Sequence, residues 1–350
     1  MSIVEINNLV KKYGDNVAVN DLSLNIDSKG VYGFLGPNGA GKSTTMNVLT
    51  GYIGATSGTV IINGYDIFKE PEEAKKNVGY LPEIPPLYQD MTVYEYLEFV
   101  SKIKKIKKEE RKACIEQSLE MTRTTEVRER LIRILSKGYK QRVGIAQAIM
   151  GMPDLIILDE PTVGLDPKQI IEIRDLIRNL GKEHTVILSS HILTEISEVC
   201  ENIFIISQGK LVASGREEEL IEELAGENRI EAIIKGDANE IENILDKFGC
   251  KHSIETLDDE KCKAQIVTSR DIDIREGLFF ALAEKKMPLL ELKFKTKSLE
   301  DLFIELTTEY KAQPKKKGLK FKKKNSEKLD DKNLADNLKN EEKEVQEVEK

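Results

Sequence analysis

An α/β core with a helical lobe inserted into it, followed by a small α+β domain of split βαβ type and a charged tail, is the fold class that the sequence predicts. Three observations carry it. Apolar, β-branched runs alternate with helical patterns over the first two-thirds of the chain, as in buried strands joined by helices. Between Thr92 and Ala148 the pattern is helical throughout, with Lys and Glu on the outer face. From about Asn228 the order becomes β-α-β-β-α-β.

Taken in order, Val4-Glu5-Ile6 and Leu22-Ser23-Leu24-Asn25-Ile26 alternate like half-buried strands. Val31-Tyr32-Gly33-Phe34-Leu35 is more continuously apolar, as in a fully buried strand. Val60-Ile61-Ile62 ends at Asn63-Gly64, a hairpin signal. Leu155–Leu158, Thr185–Leu188 and Ile203–Ile206 read as central strands of the sheet. The later elements are strands at Arg229–Ile234, Lys251–Glu255, Ala264–Thr268 and Leu289–Phe294, and helices at Ala238–Phe248, Ile274–Glu284 and Ser298–Thr307. These shifts divide the chain at residues 1–224 (lobe about 88–148), 225–310 and 311–350. The last part holds "KKKGLKFKKK" and then "EEKEVQEVEK", and too few apolar residues to bury a core. It reads as a solvated linker or as a weak anchor on anionic lipid.

The 350 residues are 40% hydrophobic and 33% charged, enough apolar content for about two domains. The formal net charge of -8 argues against a bulk nucleic-acid coat, so no nucleic-acid partner is expected. Met1-Ser2-Ile3-Val4-Glu5 does not open a secretory signal, and no apolar run nears the roughly 20 residues of a membrane span. The four cysteines form no CxxC pair, which fits a reduced, cytosolic chain. Cys250, His252 and Cys262 have no spacing of a closed zinc site and read as unrelated residues.

The chemistry starts at Gly36-Pro37-Asn38-Gly39-Ala40-Gly41-Lys42-Ser43-Thr44. This run follows one buried strand, opens a helix ending near Gly51, and fits G-x-x-x-x-G-K-[ST], the pattern of a P-loop NTPase. Glycines let backbone N–H groups converge on phosphate oxygens, and the helix N-terminus favours the anion. Lys42 can reach the β- and γ-phosphates, and the Ser43 hydroxyl can hold Mg²⁺. "LIILDEPT" ends an apolar strand in two acids, which is costly unless they sit near a cation. Asp159 is then the natural Mg²⁺ partner and Glu160 the residue placed to activate water. His191, at the C-terminal edge of another core strand, can orient the γ-phosphate or the water. His184 and His252 read as structural.

Residues from Ile3 to about Glu219 resemble the ATP-binding subunit of an ABC transporter, above all the ATPase subunits of bacterial two-component ABC exporters, whose membrane part is a separate chain. The resemblance rests on seven motifs in register. It implies that Tyr13 in "KKYGDNVAVNDLSL" stacks on adenine, that "GPNGAGKST" is Walker A and that "GYLPE" holds the Q-loop. It further implies that "LSKGYKQR" is the signature, "LIILDE" Walker B, "GLD" at Gly164–Asp166 the D-loop and His191 the switch histidine. "SLEDLFIELT" is similar to the closing helix of such subunits.

The family packs two subunits head to tail, so Ser136 and Gly138 would face the γ-phosphate of ATP held by a second copy or a homologous subunit. An ATPase follows from the resemblance, with ATP and Mg²⁺ as cofactors. It implies an exporter, driven through an integral-membrane permease and peripheral on the inner face of the cell membrane. This chain departs from the commonest signature through Lys137 in place of Gly and Tyr139-Lys140 after Gly138. At the Q-loop Glu83 replaces Gln; it can reach Mg²⁺ or water but cannot donate as an amide does. The alternatives are an ABC ATPase acting on ribosomes or DNA, and a module that uses ATP only as a dimerisation switch.

Overall fold

The computed structural model describes residues 2–224, 227–258, 260–269, 272–295 and 298–312. The tail expected over 311–350 therefore lies outside the described residues, apart from 311 and 312, which continue the last helix.

The chain opens on two long strands, β1 (Val4–Tyr13) and β2 (Asn16–Ile26), turned at Gly14-Asp15. Strand β3 (Gly30–Leu35) is buried along its whole length, as its apolar run predicts, and feeds helix α1 (Lys42–Leu49). Next come β4 (Ser57–Ile62) and β5 (Tyr65–Asp66), paired antiparallel across Asn63-Gly64, both in the left-handed region with φ of 49° and 84°. Helix α2 (Pro71–Lys76) and strand β6 (Val78–Leu81) lead into the lobe. There α3 (Val93–Ile103), α4 (Lys108–Met121) and α5 (Lys137–Ile149) follow one another. The core resumes with β7 (Leu155–Asp159), α6 (Pro167–Gly181), β8 (Thr185–Ser190), α7 (Leu193–Ser197), β9 (Asn202–Ser207), β10 (Lys210–Gly215) and α8 (Glu217–Leu224).

Two sheets build this part. One is antiparallel in the order β2-β1-β4-β5; the other runs β10-β9-β3-β8-β7-β6 and is parallel except for the edge strand β10. Between them Phe34, Met46, Ile157, Ile206 and Phe204 fill one apolar layer with Ile6, Leu22 and Val60 of the first sheet. On the other face, Leu158, Leu188 and Ile205 pack on Ile173, Ile177 and Leu180 of α6. Helix α5 serves two cores: Val143 and Ala146 face the lobe with Leu97 and Leu119, whereas Ile145 and Ile149 join the sheet. Its N-terminus, with Ser136 as N-cap and Gly138 in the first turn, is thus fixed to both.

The remaining elements are β11 (Glu227–Lys235), α9 (Ala238–Asp246), β12 (Lys251–Thr256), β13 (Lys261–Ser269), α10 (Arg275–Glu284), β14 (Leu289–Lys295) and α11 (Leu299–Ala312). The sheet order β12-β13-β11-β14, antiparallel throughout, is the split βαβ arrangement that the element order predicts. Ile230, Ile234 and Ala264 meet Ile241, Leu245 and Leu278 from its two helices. The last helix departs from the expected division at 225–310. Leu299 is buried in the core formed by the parallel sheet, with Phe303 and Leu306 beside it, and α11 packs on α8 and β9. An amphipathic stripe states that a helix has a partner but not which core supplies it.

Candidate active site

The loop between β3 and α1 crosses the C-terminal edge of the parallel sheet. Only glycine fits two of its positions. Gly41 has φ of +104°, and a Cβ there would lie 2.4 Å from the Ala18 carbonyl oxygen of β2. At Gly36 a Cβ would lie 2.5 Å from the Ile206 carbonyl oxygen. Pro37 is half-buried, Asn38 and Gly39 are exposed, and Ala40 is buried with its N–H donating to the Pro37 carbonyl at 3.1 Å. Thr44 is half-buried on the first turn of α1.

Lys42 folds back across this loop. Its ammonium donates to the Gly36 carbonyl at 2.8 Å and lies 3.6 Å from Glu160 Oε1, with only 6% of the residue exposed. Burial pulls its pKa below the usual lysine range, and the carboxylates of Glu160 and Asp159 oppose that shift without cancelling it. A buried ammonium so held is stabilised by further anionic oxygen, which is what a phosphate brings.

The acids stand at the tip of β7, where the sequence puts them. Ser43 Oγ, exposed at the start of α1, donates to Asp159 Oδ1 at 3.3 Å. A hydroxyl and a carboxylate facing one another form a hard-oxygen pair suited to Mg²⁺. Ser189 of β8 also donates to Asp159 and accepts the Glu160 N–H at 3.0 Å. Glu160 has φ of +49°, unusual for a residue with a side chain, and this conformation turns its carboxylate toward β8. There His191 Nδ1 lies 3.0 Å from Glu160 Oε2 and 3.1 Å from Oε1. Facing a carboxylate, that nitrogen carries the proton and donates it. Lys42, Ser43, Asp159, Glu160 and His191 thus meet at one sheet edge, although they come from three segments of the chain.

The other expected site residues lie elsewhere. Tyr13 is half exposed at the end of β1, with the Lys11 ammonium 5.1 Å from its ring centroid. Glu83 is exposed in the loop after β6, and among the described residues no hydrogen bond or ion pair joins it to Ser43 or Asp159. Ser136 is the N-cap of α5, its hydroxyl accepting the Tyr139 N–H at 3.4 Å. Gly138 is buried so closely on α6 that a Cβ would lie 2.7 Å from Gln169 Cδ. Both line a cavity of about 600 Å³ with Tyr139, Arg142 and Gln169, and nothing from the phosphate loop, Glu160 or His191 lines it. Tyr139, one of the departures in the signature, donates its phenol to Glu126, and this bond raises its pKa because the carboxylate favours the protonated phenol. The Arg142 guanidinium lies 5.7 Å from the same ring and pairs with Glu172.

Ser189 is a site residue that sequence reasoning missed. Its only signal was a second serine ahead of the histidine in "SSH".

The family model described as ABC transporter matches residues 19–163. The bacitracin transport ATP-binding protein BcrA of Bacillus licheniformis is 42% identical over 213 residues, 60% of this chain and 69% of that one. The linearmycin resistance ATP-binding protein LnrL of Bacillus subtilis (strain 168) is 32% identical over 306 residues, 87% of this chain and 98% of that one. The latter match is long enough to take in the split βαβ domain as well. Among solved structures, the dimeric post-hydrolysis state of the ATP-binding cassette MJ0796, bound to ADP and Pi, superposes with a TM-score of 0.55 at 26% identity, covering 61% of this chain and 98% of that one. A relative matched over nearly its whole length, with Ser43 facing Asp159 and His191 facing Glu160 at one sheet edge, leads to one assignment: the chain belongs to the ABC transporter family, as an ATP-binding subunit with ATPase activity.

Proposed function

We propose that the chain works as a head-to-tail dimer that hydrolyses Mg²⁺-bound ATP and drives export through a separate integral-membrane permease, lying on the cytoplasmic face of the membrane. In this reading Ser43 and Asp159 hold Mg²⁺, which offsets charge on the phosphates. Lys42 exchanges its Glu160 contact for phosphate oxygen. Glu160 takes a proton from the attacking water, and His191 holds that carboxylate in line. Tyr13 offers a ring to the adenine from the hairpin that stands against Gly41. Glu83, as the Q-loop residue, senses the nucleotide from the loop after β6.

One observation carries the dimer. The signature turn at Ser136 and Gly138 borders its own cavity, and no residue of the phosphate loop, nor Glu160 or His191, lines it. An N-capped helix start with N–H groups suits an anion, and a second copy supplies one if the two chains pack head to tail. The dimeric state of the similar cassette supports this arrangement. The export direction is supported by the names of BcrA and LnrL, a transport and a resistance protein. No helix among the described residues is long and apolar enough to cross a membrane; a permease on a separate chain is supported by the resemblance to two-component exporters.

The test is complementation. Lys42→Ala and Ser136→Arg are each inactive, the first at the phosphate loop and the second across the interface. Mixing them rebuilds one complete site in a heterodimer, and ATPase activity returns. No recovery in a preparation shown to hold heterodimers overturns the shared site.

A further inference from the structure

Two hydroxyl groups that play no part in the chemistry above converge on one buried carboxylate. Thr162 Oγ1 donates to Glu195 Oε2 at 2.7 Å, and Ser190 Oγ donates to the same oxygen at 2.8 Å. Glu195 is 5% exposed, Thr162 4% and Ser190 0%. Ser190 Oγ also accepts the Ile192 N–H at 3.0 Å. Thr162 stands two residues after Glu160. Ser190 and Ile192 stand on either side of His191. The backbone around both reacting side chains is therefore gathered at Glu195.

A carboxylate is costly to bury, and an apolar side chain fills space at less cost. What the carboxylate adds is direction, because charge-assisted bonds to two hydroxyls fix where each donor points. The neighbouring geometry calls for such a tie. The β7–β8 ladder ends at Asp159 and Ser189, one residue short of Glu160. Glu160 itself is held in the left-handed region, which persists only when its surroundings over-determine it. Its N–H is fixed to Ser189, but the turn that follows, where Val163 N–H reaches the Glu160 carbonyl at only 3.3 Å, needs another support.

We infer that Glu195 is a positioning residue for hydrolysis, the link that holds the turn after Glu160 and the segment carrying His191 in one register. The inference rests on the proposed roles of Glu160 and His191. Glu195 touches neither substrate nor the reacting atoms; it acts by keeping the two side chains within 3.1 Å of each other.

The experiment measures single-turnover hydrolysis in the full chain and divides the rate by the number of sites that bind a fluorescent ATP analogue. Counting sites by binding removes any unfolded fraction from the comparison. Glu195→Ala lowers the per-site rate by about 10²-fold, the effect of roughly an ångström of misplacement, while analogue affinity stays at the parental value. Glu195→Gln restores most of the rate, because the amide oxygen can accept both hydroxyls. Thr162→Val and Ser190→Ala each give an intermediate loss, and neither adds to the loss in Glu195→Ala, since all three break one link. They also carry the test if Glu195→Ala does not fold. A parental per-site rate in Glu195→Ala overturns the inference, and so does a Glu195→Gln chain as slow as Glu195→Ala. Glu160→Gln is run beside them: parental turnover there overturns the role of Glu160 instead, which separates the two failures.

Discussion

Lys42 Nζ lies 3.6 Å from Glu160 Oε1, a buried ion pair between the phosphate loop and the acid at the tip of β7. The carboxylate and an incoming phosphate compete for the same ammonium. Glu160→Gln removes the competitor and, in the proposed mechanism, the base as well. The expected outcome is ATP binding at least as tight as in the parent, with turnover lower by about 10²–10⁴-fold. Equilibrium ATP titration and a phosphate-release assay check the two halves, and turnover near the parental rate disproves the role of Glu160.

Gly41→Ala tests the loop from its backbone side. The new Cβ would meet the Ala18 carbonyl oxygen at 2.4 Å, and φ of +104° is strained for any side chain. Either β2 or the loop must shift. ATP affinity is expected to drop by an order of magnitude or more, with a lower melting temperature, in calorimetric titration and thermal unfolding. Unchanged affinity would show that the loop tolerates displacement.

The entry into the lobe is closed by a capping box. Glu95 N–H donates to Thr92 Oγ1 at 3.2 Å, and Thr92 N–H donates to Glu95 Oε2 at 2.8 Å. Thr92→Ala is expected to cost about 1 kcal/mol, read by urea unfolding. The bonds from the Thr92 N–H and, after it, the Thr92 hydroxyl hold the Glu95 carboxyl below its ordinary pKa of 4.5, and Thr92→Ala removes the second of them. A carboxylate depressed in the folded state stabilises above its unfolded pKa, and that contribution fades as pH falls through the folded value. The gap between parent and variant therefore narrows below pH 4.5, and a constant gap through acid would assign the loss to packing instead.

Helix α11 separates two deletions that look alike on paper. Removing 227–350 takes away Leu299, Phe303 and Leu306 and uncovers the apolar surface they share with α8 and β9. Removing only 227–297 and rejoining the ends with a short Gly-Ser linker leaves the helix in place. Both chains keep the ATP motifs and are expected to bind ATP, but the first unfolds at a lower temperature. Leu299→Ala in the full chain should cost about 2–5 kcal/mol, as truncation of a fully packed leucine does. Equal melting temperatures for the two deletions would show that the helix adds nothing to the core.

The phosphate loop was legible because its chemistry is contiguous: glycines, lysine and hydroxyl lie within nine residues after a buried strand. Asp159, Glu160 and His191 were legible because acids or imidazole at the end of an apolar strand have few uses other than a site. Ser136 and Gly138 depended on resemblance, since no residue near them in the sequence marks a ligand site. Glu195 was not legible at all. A glutamate in a one-turn helix reads as solvent-facing, and only the fold brings Thr162 and Ser190 to it. The destination of α11 was hidden for a similar reason, because its stripe fits more than one apolar surface.

That destination changes what the split βαβ domain is. With α8 before it and α11 after it both seated on the parallel sheet, the domain is an insertion tethered at two points, not an appendage hanging from one. A singly attached module can rotate about its linker without the rest of the chain registering it. A doubly attached one closes a loop, so displacing it strains both attachments at once and the strain arrives at β9, next to β3 and its phosphate loop. Whatever pulls on this domain therefore has a mechanical route to the strand that delivers Lys42.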